Sequence, residues 1–335
     1  MQILRTPEPF SPAFGEIRYA VSLTDDEKGG EIGIFNSAVT EKIGVKKAAE
    51  APEFTFHVSD YVRSQVHVEP LPPQGCGLVE TPGRLFYSCI AHGEWAASTP
   101  HTAGVEAVGR NEPLTVRRSR SLAADEQDEI GWVAAEGTVF ARALFPLDGA
   151  ECVELHLGRA EVSEPRLLAL ILSAPNLVEW LLQRGYRWED FPGFVVEIHA
   201  GYQLMARFEY RIRPIHPRKT RIAWWNRRGG IDFHTFEHVK NEGRTIEKST
   251  AEIAGRTLVL GAQARRQKTV ATARTTCAEA EHLSEIAGAP QVWVVEDGEA
   301  VPVETPGGTF VPDDPDRTAF ELPLMYSEPI HFQSF

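Results

Sequence analysis

Two histidines, His234 and His238, lie four residues apart, the spacing at which two zinc ligands share one face of a helix. The surrounding segment, residues 231–238, alternates apolar and polar side chains and so predicts a strand. On a strand, positions four apart are about 13 Å from one another, too far to hold one ion. The sequence therefore predicts surface histidines here and no metal site.

Carboxylates and thiols are the next groups that could do chemistry. Trp188-Glu189-Asp190 sets two acids beside an aromatic ring, as in a glycosidase cleft. Adjacent side chains point in different directions and no facing acid is supplied, so we expect Trp188 in the core and both acids in water. Cys89 and Cys152 have no base nearby in the sequence, which favours buried, unreactive thiols.

The common catalytic motifs are absent from the sequence. It has no Gly-x-Ser-x-Gly elbow, no Walker loop, no Gly-x-Gly-x-x-Gly after a strand and no His-Glu-x-x-His. The four cysteines form no close pair and match no zinc module. We therefore expect no catalytic residue, no metal and no cofactor, and a chain that is not an enzyme.

A basic stretch runs from Arg211 to Gly230, with seven basic residues and no acidic one. Together with Trp224 and Trp225 it could stack on and neutralise single-stranded nucleic acid. The whole chain carries a formal net charge of −13, which repels a polyanion and argues against nucleic acid as a partner. We expect these arginines on the solvent face of strands or in an interface, because arginine and tryptophan anchor protein contacts.

The composition is that of a globular protein with a core, since 42% of the 335 residues are hydrophobic and 24% are charged. The 23 prolines and 27 glycines are spread along the chain, which suits many short strands joined by turns. No signal peptide and no apolar run of about 18 residues is visible, so we expect a soluble product of the cytoplasm without a membrane span.

Alternation of apolar residues predicts most of the elements. Ile17, Tyr19, Val21 and Leu23 fall on one face of a strand. Residues 194–213 alternate on either side of a glycine and predict a hairpin with its turn near Gly201.

The last third of the chain predicts a helix followed by a hairpin. Thr276 and Glu279 form a capping box that begins a short helix near residues 277–287. Asp297-Gly298 is a favoured two-residue turn between two short strands.

These patterns predict a mainly β fold, with β-sandwich- or β-barrel-like domains and a small α+β part at the C-terminal end. We divide the chain into a β-rich domain over residues 1–158 and a second over residues 159–335. The first contains a loop or insertion around residues 91–124, where small residues, prolines and basic residues give no periodic signal.

One segment carries a recognisable pattern of aromatic and glycine residues. Its Gly-Gly pair permits a tight turn or bulge that a side chain would block, and Trp224, Phe233 and Phe236 are expected to pack across it as cross-strand aromatics. The candidate interface residues in this motif are Trp224, Trp225, Asn226, Arg227, Arg228, Gly229, Gly230, Phe233 and Phe236.

This motif resembles one found in bacteriophage and prophage tail proteins. The end of the chain, with its capped helix, strand, hairpin and final apolar strand, is similar to theirs as well, so the resemblance covers residues 218–335 and extends weakly to the first two hundred. It departs from the pattern at Trp225, where an aliphatic residue is usual. The resemblance implies a distal-tail or baseplate component without catalytic residues. Such a protein forms homo-oligomeric rings, contacts other tail proteins and resides in the virion tail.

Two other functions stay open on the sequence alone. A carbohydrate- or receptor-binding β module would use the seven tryptophans as stacking platforms. A glycan hydrolase would use acids such as Glu189 or Asp190.

Overall fold

The chain folds as a set of mostly antiparallel sheets joined by short loops. In this computed structural model, 56% of the residues are in strands and 12% in helices. The structure describes residues 1–72, 75–93, 95–147, 151–253, 256–273, 275–306, 317–326 and 330–332. The mainly β class and the β-sandwich-like packing predicted from the sequence are confirmed.

The N-terminal part contains a three-stranded sheet in the order β1-β3-β6 and a five-stranded sheet in the order β2-β9-β8-β4-β5, where the numbers follow the chain. Ile17, Tyr19, Val21 and Leu23 are all buried between these sheets, as their alternation predicted. The elements here are β1 (Gln2–Arg5), β2 (Ser11–Pro12), β3 (Arg18–Ser22), β4 (Glu31–Phe35), β5 (Lys42–Lys47), β6 (Glu53–His57), α1 (Ser59–Arg63), β7 (Gly77–Glu80), β8 (Leu85–His92) and β9 (Trp95–Thr102), with 3₁₀ turns at Asp25–Glu27 and Pro82–Arg84.

The middle part is a sandwich of two sheets over one core. A four-stranded sheet in the order β10-β12-β15-β7 faces a five-stranded sheet in the order β11-β17-β16-β13-β14. Their core includes Trp132, Phe145 and Phe208. The elements are β10 (Glu112–Pro113), β11 (Ser119–Ala123), β12 (Gln127–Ala134), β13 (Gly137–Pro146), β14 (Cys152–Val162), β15 (Arg166–Ser173), α2 (Ala174–Leu182), β16 (Gly193–Ala200) and β17 (Gln203–Arg213), with a 3₁₀ turn at Trp188–Asp190.

The C-terminal part is built on an eight-stranded sheet. Its order is β19-β18-β23-β24-β26-β21-β20, with β27 also paired to β21, and a separate small sheet joins β22 to β25. The elements are β18 (Thr220–Trp225), β19 (Ile231–Phe236), β20 (His238–Ile253), β21 (Arg256–Ala271), β22 (Thr275–Thr276), α3 (Cys277–Ser284), β23 (Val292–Glu296), β24 (Glu299–Glu304), β25 (Arg317–Thr318), β26 (Glu321–Tyr326) and β27 (Ile330–Phe332), with a 3₁₀ turn at Glu285–Gly288.

Two predicted hairpins and the predicted helix are present. β16 and β17 pair around Gly201, which has a φ of +57°. Asp297 and Gly298 have φ angles of +51° and +83°, as a primed two-residue turn between β23 and β24 requires. Helix α3 begins after Thr276, whose hydroxyl accepts the Glu279 backbone N–H at 3.2 Å.

The structure corrects the prediction of a loop or insertion over residues 91–124, because this stretch contains β9, β10 and β11. β9 pairs with β8 along its length, and β11 pairs in parallel with β17, more than eighty residues later in the chain. Their small, polar and proline residues alternate too weakly to reveal a strand whose partner is distant.

Strands from both sides of residue 158 share sheets. The residue lies inside β14, and β12 pairs with β15 across this point of the sequence. β13 likewise pairs with both β14 and β16. The middle sandwich therefore takes strands from each of the two segments into which the sequence was divided.

Candidate functional site

The candidate motif forms the hairpin of β18 and β19, which lies between two hydrophobic cores. Trp225 and Phe233 pack in the N-terminal core, where Trp225 contacts Phe14 edge-on with ring centroids 5.6 Å apart. Trp224 and Phe236 pack on the opposite face with helix α3. This hairpin therefore joins the N-terminal sheets to the C-terminal helix.

The expected cross-strand packing of Trp224, Phe233 and Phe236 is wrong for Phe233. Trp224 lies opposite Asp232, and Phe233 lies opposite Ala223. Because successive strand residues point to opposite faces, Phe233 belongs to a different core from the other two aromatic residues.

The turn of this hairpin is held by Asn226 and by two glycines. The Asn226 side-chain oxygen accepts the backbone N–H groups of Arg228 at 2.9 Å and Gly230 at 3.2 Å. Gly229 has a φ of +86°, a conformation that favours glycine. A Cβ added to Gly230 would lie 2.5 Å from the carbonyl oxygen of Leu114, so a side chain has no space there.

Most of the nine candidate residues are buried within the chain. Arg227 is the most exposed, with 64% of its side chain accessible, and its Nε lies 3.2 Å from Glu106 Oε1. Arg228 keeps 26% of its side-chain surface. Any contact that this motif makes with a partner protein would therefore involve Arg227 and part of Arg228, while the aromatic residues serve the interior.

A short acidic segment, Asp125–Glu129, is the hub of a buried ion-pair network. Glu126 pairs with Arg221, Asp128 with Arg120, and Glu129 with Arg84. The three arginines come from the C-terminal, middle and N-terminal parts of the chain respectively. One segment of sequence therefore fastens all three parts together.

Arg120 is at the centre of this network. Its guanidinium donates to both oxygens of Asp128, at 3.0 and 3.2 Å, and to Asp232. At most 2% of any of these three side chains is exposed. Burial alone would lower the pKa of Arg120, but the charges of Asp128 and Asp232 raise it above its usual value, so the guanidinium stays charged.

Neutral groups complete the coordination of the two aspartates. Tyr210 donates its hydroxyl to Asp128 at 2.9 Å, and burial together with the Asp128 charge raises the pKa of that phenol well above its usual value. Thr115 and Asn226 donate to Asp232 at 2.8 and 3.0 Å. Each buried carboxylate therefore has several donors, as a buried charge requires.

Glu126 is the second centre of the network. Burial would raise the pKa of its carboxyl, but Arg221, the Ala123 backbone N–H and Lys219 lower it to about 2. Thr235 also donates to this carboxylate, at 2.8 Å. Glu126 is therefore an ionised structural anchor at neutral pH.

An open groove of about 1090 Å³ lies beside this anchor. Its lining includes the apolar side chains of Phe233 and Trp293 and the cations Lys219 and Arg221. Both cations are paired within the chain, Lys219 with Asp125 and Glu126 and Arg221 with Glu126. These two cations are therefore already neutralised within the chain, and the lining also includes the acidic residues Glu69, Glu296, Asp297 and Glu299.

The other candidate residues are placed as follows. Trp188 is buried, with Glu189 and Asp190 exposed, as predicted, and Asp190 pairs with Arg187. Cys89 is buried as predicted, whereas Cys152, at the start of an edge strand, is exposed.

The histidines differ from one another. His234 is buried on β19, contrary to its prediction as a surface residue, and burial with the neighbouring Arg117 lowers the pKa of its ring well below the usual value. His238 is exposed at the start of β20. Among the described residues, no group of three or more histidine, cysteine or acidic side chains is arranged to hold a metal ion.

Sequence reasoning missed the ion-pair network. Arg221 was expected on a solvent face, yet only 6% of it is exposed, and Arg120 was assigned to a loop. The available signal was the closeness in sequence of two oppositely charged segments, Arg117–Arg120 and Asp125–Glu129.

Five of the seven tryptophans are buried, and a buried ring cannot serve as a stacking platform for a sugar. A stacking platform needs an exposed ring face, and Trp180, which packs at the edge of the middle core, is partly buried. The buried five are Trp132, Trp188, Trp224, Trp225 and Trp293.

The strands β20 and β21 form a long hairpin. β20 and β21 have 16 residues each, about 50 Å at the usual rise per strand residue. β21 is covered on its other side by β26 and β27, whereas no described strand pairs with the outer edge of β20. No described side chain between His238 and Glu252 is buried.

Comparison with known proteins finds no matching protein-family model and no curated sequence with significant similarity. Within the described residues, no helix is long and apolar enough to cross a membrane.

Proposed function

We propose that this chain is a structural component of a bacteriophage tail, of the distal-tail or baseplate type. It acts by self-assembly and by contacts with other tail proteins, and it resides in the virion. The resemblance of residues 218–335 to tail proteins supports this proposal. The exposed β20 edge is the structural observation that carries it.

An assembly protein needs a rigid body and an available surface. The body is provided by three β-rich parts that buried ion pairs fasten together through Asp125–Glu129. The surface is provided by β20, whose outer edge pairs with no strand in the described part of the chain and is a template for another strand. Lys219 and Arg221, which line the groove, are paired with Asp125 and Glu126, so they support the frame.

Size-exclusion chromatography with light scattering tests this function directly. We expect the purified chain to have the mass of an oligomer, and negative-stain electron microscopy to show assemblies of defined shape. A strict monomer at every concentration, combined with specific binding on a glycan array, would instead support a carbohydrate-binding module.

The genes that flank this one provide an independent test. Tail-tube and tape-measure genes beside it would support the proposal, because virion structural genes are expected to be grouped. A neighbourhood of glycan-degrading enzymes would contradict it.

A further inference from the structure

We propose that the outer edge of β20 pairs antiparallel with the same edge of a second copy of this chain, across a two-fold axis at Thr245. The pairing rests on the assembly function proposed above and names the surface and the partner for it. It extends the C-terminal sheet from one copy into the next through backbone hydrogen bonds.

The regular part of β20 defines where such pairing can occur. The ladder between β20 and β21 is interrupted between Val239 and Asn241 and again between Ser249 and Thr250. Between these irregularities lie nine regular residues, 241–249, of which Thr245 is the middle one. A two-fold axis at Thr245 therefore pairs residues 241–249 of one copy with residues 249–241 of the other, so the whole regular segment takes part.

The symmetry limits the choice of register. Residues opposite one another in an antiparallel pair point to the same face, and a two-fold axis perpendicular to the sheet keeps each side chain on its own face. Because faces alternate along a strand, the two opposite residues must be an even number of positions apart in sequence. The axis, midway between them, therefore passes through a residue. The candidate axes near the middle of the segment are therefore at Gly243, Arg244, Thr245, Ile246 and Glu247.

The axis at Thr245 gives charge complementarity. It places Glu242, whose carboxylate also accepts from Arg266 of its own chain at 2.8 Å, opposite Lys248 of the other copy, which makes two cross-strand ion pairs per dimer. It also places Arg244 opposite Ile246, a side chain that is 55% exposed in the single chain and would be covered by the arginine stem. No like charges face each other within residues 241–249 in this register.

The neighbouring axes are less favourable. An axis at Arg244 places this residue opposite its own copy, and an axis at Ile246 places Arg244 opposite Lys248. An axis at Glu247 places that residue opposite itself, and like charges directly opposite each other are destabilising. An axis at Gly243 carries the pairing into the irregularity next to Lys240.

The edge is ready to accept a strand. Opposite the segment 241–249, β21 is backed by β26 and β27, so this part of β20 is the border of a sheet with more than two strands. The contact is isologous and closes at two copies, so a ring would use a second surface in addition.

Cysteine cross-linking in the full chain tests the axis. Residues opposite each other in an antiparallel pair have Cα atoms about 4.5–5.5 Å apart, within the range of a disulfide. We expect the Thr245→Cys variant to form a cross-linked dimer under mild oxidation, with a 245–245 peptide identified by mass spectrometry. Ser249→Cys is the matched control, because its two copies would lie about 27 Å apart.

Charge exchange tests the register in the same assay. We expect Glu242→Lys alone to weaken self-association about tenfold, because two attractive cross-strand pairs become repulsive. Adding Lys248→Glu restores the attraction and should recover most of the affinity. Glu209→Lys, at an exposed position in the middle of β17, controls for the change in net charge.

The outcomes separate this pairing from the function on which it rests. An oligomer with the 245–245 cross-link and a rescued double variant supports both. If the chain is an oligomer but forms no 245–245 cross-link, and its affinity is unchanged in the charge variants, the β20 pairing is overturned and the assembly function is retained. A monomer at every concentration overturns both.

Discussion

Arg120 on β11 donates a hydrogen bond to Asp232 on β19, and this buried ion pair links the middle sandwich to the C-terminal sheet. Asp232 also accepts the side-chain amide of Asn226, so the same carboxylate holds the turn of the candidate motif. Asp232 is therefore one of the points at which the motif is tied to the frame of the molecule, alongside the bonds from Trp225 to Ala103 and from Asn226 to Leu114.

Removal of this carboxylate should be strongly destabilising. We expect Asp232→Ala to lower the free energy of unfolding by about 3–5 kcal/mol, because it leaves Arg120 buried with one of its two anionic partners missing. Urea denaturation monitored by tryptophan fluorescence measures this change. Glu106→Ala is the control, since its pair with Arg227 is exposed and should contribute at most about 1 kcal/mol. Equal effects of the two variants would contradict a structural role for the network.

The lowered pKa of Glu126 predicts that the free energy of unfolding decreases in acid. The pKa of its carboxyl in the folded chain is about 2, below the ordinary 4.5, so its ionised form stabilises the fold above pH 4.5. That contribution, about 3 kcal/mol, is lost as the pH falls from 4.5 toward 2. In Glu126→Gln it is missing at every pH, so the stability difference from the parent chain should shrink over this range. Glu189→Gln, an exposed control, should follow the parent, and a constant difference for Glu126→Gln would contradict the assignment.

The turn of the motif should tolerate no side chain at Gly230. We expect Gly230→Ala to cost more than about 2 kcal/mol, because its Cβ would lie 2.5 Å from the Leu114 carbonyl oxygen, a backbone atom that cannot move aside as a flexible side chain could. Gly83→Ala is the matched control, since nothing lies within 4 Å of an added Cβ there. Thermal unfolding monitored by circular dichroism distinguishes the two, and similar midpoints would refute the close packing at this turn.

Substitution of Arg227 tests whether the motif also contributes to an interface. Its side chain is largely exposed, so Arg227→Ala should change the unfolding midpoint little. If the motif contacts a partner subunit, the same variant weakens oligomerisation in light scattering. Unchanged oligomerisation would limit the role of the motif to the interior.

Local patterns predicted those parts of the fold that depend on near neighbours. The alternation through Ile17 and Leu23, the turn at Gly201 and the cap at Thr276 each involve residues close in sequence, and the structure contains all three. Binary patterning and turn chemistry act over a few residues, so a single sequence is enough to see them.

The ion pairs between distant segments could not be predicted from the sequence, for the opposite reason. Their partners are 45 residues apart for Arg84 and Glu129 and 112 apart for Arg120 and Asp232. Arginine and aspartate are usually exposed, so residue type alone assigns them to the surface. The same distance effect hid β11, whose parallel pairing with β17 leaves no local signature.

Hydrogen exchange along β20 tests the central claim most directly, because a paired edge protects backbone amides that a free edge exposes to water. Measured by mass spectrometry at low and high protein concentration, peptides covering residues 241–249 should exchange more slowly as the concentration rises. Those of β14, another edge strand, should not change. Exchange in β20 that is the same at every concentration would contradict assembly through this edge.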